Sequence, residues 1–222
     1  MAKLMVKILG NQPSILNNYL NELRDTSIQS DPLRFRRNLE RIGECIGIEL
    51  SKTLNYQSHD VVTPLGVKKA LELSDQIVLG TILRASLPMH HGLLNIFDRA
   101  ENAFLAAYRA TKEDGSVYTE LSYSATPNLE GKVLILADPM LATGQSMVDC
   151  LNLMLKFGKP SQIHLIAAIS SQEGLNFVKQ NVDDDVLIWL GDVDEELNDK
   201  FYIVPGLGDA GDLAFGEKLG GE

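Results

Sequence analysis

Asp138 stands where a short apolar run, Val133 to Leu136, should end as a buried strand. A turn of small and polar residues follows, Ala142-Thr143-Gly144-Gln145-Ser146, and then Met147, Leu151, Met154 and Leu155 fall at helical spacing. The order is strand, acid, small-residue turn, helix. The first N–H groups of a helix have no internal partner and sit at the positive end of the helix dipole, so this order suits an anion such as a phosphate. Gly144 lets the backbone approach closely, and Thr143 and Ser146 add hydroxyl donors. Asp138 repels phosphate; it suits sugar hydroxyls or a bound Mg²⁺.

A second chemical position follows the apolar run Gln76–Leu83, where Arg84-Ala85-Ser86 comes directly after the strand. A cation at the end of a parallel strand points to the carboxyl edge of the sheet, where α/β folds bind ligands. A third is the glycine-rich string Tyr202–Asp212, YIVPGLGDAGD. His90 and His91 are neighbours on a helical pattern; adjacent residues do not share a helix face and no third ligand is near, which favours structural roles. Cys45 and Cys150 lack metal spacing and read as small buried hydrophobes of a reducing compartment.

These positions need elements to hold them. Asn11-Gln12-Pro13 opens a first helix with Ile15, Leu16, Tyr19, Leu20 and Leu23 on one face. Asp31-Pro32 opens a longer one, with Phe35, Leu39, Ile42, Ile46 and Leu50 inward and Arg34, Arg36, Arg37 and Arg41 mostly on a solvated face. Val61–Leu65 reads as a strand, Val67–Leu73 as a helix, Pro88–Phe97 as a helix and Ala103–Ala107 as a strand. Asp114-Gly115 joins extended pieces at Ala107–Thr111 and Ser116–Ser124 as a β-hairpin. Gln162–Ile169 is a buried strand, Gln172–Gln180 a helix and Val186–Leu190 a strand, followed by a solvated acidic loop, Asp192–Glu196. Helices first, then strands alternating with helices, predict an α/β domain with a mainly parallel sheet flanked by helices.

The chain of 222 residues is long enough for one sizeable domain, and its 45% hydrophobic and 23% charged residues are ordinary for a soluble globular protein. A net charge of −10 argues against nucleic acid or an anionic membrane as partner. No apolar run reaches membrane-spanning length, residues 1–10 lack the pattern of a signal peptide, and a cytoplasmic location is expected.

The string DPMLATGQS, Asp138 to Ser146, resembles the 5-phosphoribosyl-1-diphosphate (PRPP) loop of uracil phosphoribosyltransferases, which carry Asp-Pro-Met where most phosphoribosyltransferases carry two adjacent acids. Tyr202–Asp212 resembles the uracil-binding loop of the same family, and the resemblance runs from about Arg34 to Gly216. It implies the phosphoribosyltransferase type I fold over residues 1–222 as one domain, with an N-terminal helical part (1–58), a flap hairpin (107–124) and a base-binding hood at the C-terminal loop (201–216).

The implied reaction is uracil plus PRPP giving UMP and diphosphate, as in pyrimidine salvage. The resemblance places Arg84 and Arg109 on the diphosphate, Asp138 on the ribose hydroxyls, and Pro139, Met140, Leu141, Ala142, Thr143, Gly144, Gln145 and Ser146 around PRPP. It places Tyr202, Ile203, Gly208 and Ala210 at uracil, with Asp209 facing PRPP and the one candidate base, so that Asp138 and Asp209 are the catalytic candidates. Mg²⁺ is implied as cofactor, held mainly through PRPP rather than by protein side chains. Relatives imply a homo-oligomer, dimer or tetramer, and for some members GTP as an effector. Three positions depart from the family pattern: Ser86 and Gln145 stand for glycines, and Leu213 for an arginine. Two other readings stay open, a PRPP- or UMP-sensing regulator without turnover and a phosphoribosyltransferase for another base such as a purine or orotate. A dinucleotide-binding domain is disfavoured, since no G-x-G-x-x-G follows a strand.

Overall fold

The computed structural model describes residues 5–111 and 117–218, with backbone alone for 107–111 and 117–122. Its centre is a mainly parallel sheet. In sheet order, β1 (Met5–Ile8) lies beside β10 (Leu187–Asp194), then β9 (Gln162–Ser171), β7 (Val133–Ala137), β4 (Ile77–Leu83), β5 (Glu101–Thr111) and β6 (Val117–Ala125). Every pairing is parallel except that of β5 with β6. The short β8 (Met140–Leu141) adds to β9. Side chains alternate between two cores. On β7, Val133, Ile135 and Ala137 face one of them, with α1 (Ile15–Arg24), α2 (Pro32–Ser51) and α3 (Leu87–Ile96). Leu134 and Leu136 face the other, with α4 (Gln145–Met154) and α5 (Gln172–Asn181). A sheet covered on both faces explains why its inner strands read as unbroken apolar runs. Among the described residues no helix is long and apolar enough to cross a membrane.

Several expected elements differ. Val67–Leu73 is not a helix: β3 (Gly66–Leu73) pairs antiparallel with β2 (Tyr56–Thr63), and Pro64 and Leu65 form the turn. The hairpin stands off the core and is exposed along most of its length, so no buried face disciplines its pattern. Residues 1–58 are not wholly helical, since β1 joins the main sheet and β2 begins at Tyr56. The first helix is capped by Ser14 rather than Asn11, in a capping box with Asn17. The acidic stretch at Asp192 is not a solvated loop, because β10 continues through Asp194, which is buried. Cys150 is buried and its thiol pushed up to about 12 by burial, while Cys45 is half-buried. The expected pairing around Asp114-Gly115 is present as β5 with β6, and the turn lies outside the described residues.

Trp189 is held on the sheet by a buried side-chain relay. Its indole N–H donates to His164 Nδ1 at 3.1 Å, and His164 Nε2 lies 3.3 Å from Gln162 Oε1. An imidazole that accepts at Nδ1 is neutral. Burial pushes His164 down to about 4, and burial together with the charge of His91 does the same to His90. An unfolded chain protonates these groups near 6.5. It therefore binds more protons than the native state between the two values, and stability falls with falling pH. The contribution, on the order of 3 kcal/mol for each imidazole, is complete above pH 6.5 and lost as pH falls through about 4. Melting temperature is expected to drop across that window in wild type and to drop less in His164→Gln. Identical slopes would contradict the assignment.

Candidate active site

The carboxyl ends of the parallel strands gather the chemistry. Asp138 follows β7, and its own N–H donates to Ile166 C=O at 3.0 Å, which keeps it in register with β9. Its Oδ1 accepts from the Met140 N–H at 3.3 Å and so shapes the turn that follows. Pro139 is buried, and its C=O accepts from the N–H groups of Ala168 and Ile169 at 3.1 Å each. Met140 and Leu141 pair with Ile169 and Ser170. Thr143 and Gly144 then lead into α4. Gly144 has φ +80°, and Thr143 Oγ1 accepts from the Gln145 N–H at 3.4 Å at the start of the helix. Asp138, Met140 to Gly144, Ser146 and Met147 line one small cavity of about 40 Å³.

That turn is fixed from behind by α5. A Cβ on Gly144 would lie 2.8 Å from Gly174 O and 2.9 Å from Val178 Cγ2, and one on Gly174 would lie 2.2 Å from Ala142 O. Ser171 caps α5 by accepting from the Gly174 N–H at 2.8 Å, and its hydroxyl donates to Ala142 C=O at 2.5 Å. Helix α4 thus presents its amino end to the cavity with its backbone already located.

The glycine-rich loop lies against the same edge. Ile203 sits in β12 (Ile203–Val204), paired with β11 (Glu196–Leu197), and its side chain is buried in the core. Gly206 has φ +57° and Gly208 φ +91°, conformations that favour glycine. Asp209 caps α6 (Ala210–Phe215), its Oδ1 accepting from the Asp212 N–H at 2.9 Å. Ala210 is buried; Tyr202 is exposed, and its backbone bonds to Asn198. Arg84, at the end of β4, reaches the C-terminal segment. It donates to Asp212 Oδ1 at 2.6 Å and to Gly216 C=O at 2.7 Å.

The comparisons with known proteins decide what this assembly is. A profile described as uracil phosphoribosyltransferase matches residues 11–217. The uracil phosphoribosyltransferase of Porphyromonas gingivalis is 47% identical over 211 residues, 95% of this chain and 98% of that one. The uracil phosphoribosyltransferase of Methanothermobacter thermautotrophicus is 39% identical, over 96% of each. The solved AQ2163 protein from Aquifex aeolicus is 32% identical with a TM-score of 0.85, over 96% of this chain and 98% of that one. The chain belongs to the uracil phosphoribosyltransferase family.

Its three departures from the pattern of the uracil phosphoribosyltransferase family all have local accounts. Ser86 is buried and its hydroxyl donates to Ala137 C=O at 2.9 Å, so the added side chain binds the end of β7. Gln145 is exposed and its Nε2 donates to Asp149 Oδ1 at 2.9 Å, away from the turn. Leu213 packs against the core cluster that contains Ile203 and Leu207.

Of the expected site residues, Asp138 and residues 139–146 come together in one turn, and Arg84 reaches the loop of Asp209. Arg109 lies on β5 past the last residue paired with β4, at the same sheet edge, and its side chain is outside the described set. Sequence reading missed the residues that hold the loop. Arg24 binds Asp192, Asp194 and Gly206; Gln29 Nε2 donates to Leu207 C=O at 3.2 Å; Arg36 donates to Ala214 C=O at 2.6 Å. Arg36 therefore does not sit on a purely solvated face. The one local signal was the spacing of Asp192 and Asp194, two apart on a strand and so on one face.

Proposed function

We propose that the protein transfers the phosphoribosyl group of PRPP to uracil, giving UMP and diphosphate. The observation that carries this reading is the turn that follows Asp138 at the carboxyl end of β7 and leads into the amino end of α4, with Arg84, at the end of β4, bonded to Asp212 and Gly216 beyond the glycine loop.

The bond that breaks is at ribose C1′, and positive charge develops there as diphosphate departs. The protein's part is positioning and electrostatics. The N–H groups and hydroxyls of Ala142–Ser146 take the 5′-phosphate at the start of α4. Asp138 takes the ribose hydroxyls and sets a negative charge beside the developing cation. Arg84 and Arg109 take the diphosphate, which requires Arg84 to exchange its bond to Asp212 for the ligand. Uracil presents two carbonyl acceptors and N–H donors, a pattern that main-chain groups at Ile203, Gly208 and Ala210 match. Tyr202 covers the sugar or base. Asp209 stands beside the base nitrogen, as proton acceptor or as fixed charge.

Among the described residues no group of three or more His, Cys, Asp or Glu could hold a metal ion. Mg²⁺ binds through substrate phosphates with one or two carboxylates, and Asp138 at the end of β7 and Asp209 at the start of α6 are the carboxylates at hand. Bound with PRPP, such an ion would supply positive charge to the leaving diphosphate. Turnover is therefore expected to stop in excess EDTA and to return with Mg²⁺; full activity in EDTA would refute this.

A turnover-free sensor would be favoured by departures that remove ligands, and Ser86, Gln145 and Leu213 remove none. The test is a steady-state assay of uracil with PRPP and Mg²⁺, following UMP and diphosphate, beside orotate, hypoxanthine and guanine. Turnover of another base in place of uracil, or binding of UMP with no turnover, would replace the proposal.

A further inference from the structure

Arg24 lies at the end of α1, far in sequence from either loop, yet it is the most heavily engaged cation among the described residues. Its Nη1 donates to Asp194 Oδ2 at 2.7 Å and to Gly206 C=O at 3.0 Å. Its Nη2 donates to Asp194 Oδ1 and to Asp192 Oδ2, both at 2.9 Å. Asp194 Oδ2 accepts in turn from the Gly206 N–H at 3.1 Å. The ion pair therefore grips both polar groups of one peptide position, the C=O through the cation and the N–H through the anion. It is well shielded, with the side chains of Arg24 and Asp194 at 18% and 7% exposure.

Gly206 is the pivot between Ile203 and Gly208. Its φ is +57°, and a Cβ there would fall 2.0 Å from Ile203 O, so no other residue fits and the turn depends on external contacts to hold it. A plain surface loop does not need a buried ion pair. Such pairs are poor sources of stability, because desolvating both charges offsets their attraction; they serve to fix one geometry. Here the geometry fixed is that of the main chain on either side of Gly206.

We infer that Arg24 and Asp194 are positioning residues for base recognition: they hold Gly206 so that the backbone of Ile203 and Gly208 meets uracil in register. The inference rests on the proposed reaction and assigns to its base loop an anchor outside the loop itself. Among the described residues the hydrogen bonds of Arg24 go to Asp192, Asp194 and Gly206, so the anchor acts first on the base loop.

Arg24→Lys keeps the charge but loses the two-nitrogen fork, and Asp194→Asn keeps the shape but loses the charge. In each folded variant, confirmed by circular dichroism, KM for uracil is expected to rise at least tenfold while KM for PRPP stays within threefold. UMP affinity measured by calorimetry should fall by a similar factor. Asp192→Asn, whose carboxylate is half exposed and touches one nitrogen, should give a smaller shift in the same direction. A merely structural role predicts lower melting temperature with both KM values unchanged or moved together, and that result in either main variant overturns the anchor. If wild type does not turn over uracil, the proposed reaction has failed; the UMP affinities of the same proteins then decide, with equal values overturning the anchor.

Discussion

Asp138→Asn is expected to fold as wild type does and to lose about 10²–10³ in kcat, the usual cost of one preorganised electrostatic contact. The substitution is conservative where the structure is concerned. Asn retains an Oδ1 that accepts from the Met140 N–H, and the backbone bond from residue 138 to Ile166 C=O does not involve the side chain. What is lost is the charge at the end of β7, which the proposed reaction sets beside the developing cation, and with it part of the acceptor capacity proposed for the ribose hydroxyls. The loss should fall on kcat more than on KM for PRPP, since the 5′-phosphate contacts remain. Melting temperature and single-turnover rates check the two halves separately. A variant within threefold of wild type would remove Asp138 from the reaction.

Gly208→Pro should be the most damaging change in the base loop. Gly208 has φ +91°, whereas proline fixes φ near −65° and has no N–H. An unpaired uracil carbonyl in a closed pocket costs on the order of 1–3 kcal/mol, about ten- to a hundredfold in kcat/KM. Further loss follows if the altered turn moves Asp209, which begins the next helix. Ile203→Val is the contrasting case. The Ile203 side chain is buried in the core, so removing one methylene costs stability of about 0.5–1.5 kcal/mol, but its main-chain groups are unchanged and KM for uracil should hold. Calorimetry with UMP distinguishes them. Equal UMP affinity in wild type and in a folded Gly208→Pro would detach this loop from the base.

The parallel sheet was legible because burial on both faces leaves mostly apolar side chains at β4, β7 and β9. The strand, turn and helix around Asp138 were legible because their residues are contiguous. Elements without a buried face were misread. Val67, Ala70 and Leu71 fall at helical spacing, but the hairpin that holds them is exposed, and pairing with 56–63 decides its form. Strand β1 is four half-buried residues at the sheet edge, too short to show a period. Arg24 was out of reach for a different reason. Its meaning comes from Asp192 and Asp194, 168 and 170 residues away, and from a glycine carbonyl that no side-chain pattern encodes. The same holds for Arg84, whose contacts to Asp212 and Gly216 depend on how the C-terminal loop folds back.

The backbone-to-backbone contact between Gly144 and Gly174 bears on the entropy of ligand binding. Neither turn has room for a Cβ against the other, and Ser171 bonds to both, so the turn at 142–144 and the first turn of α5 form one rigid body. A flexible phosphate loop would surrender conformational freedom each time a ligand arrived, and that loss would be subtracted from affinity. Here the freedom is given up once, when the sheet folds. The two glycines also form a single unit of variation. Enlarging Gly144 pushes on the Gly174 carbonyl and enlarging Gly174 pushes on those of Leu141 and Ala142, so both strain the same contact and their effects in a double-mutant cycle should not add. The turn after Asp138 is thereby tied to the packing of α5 behind it.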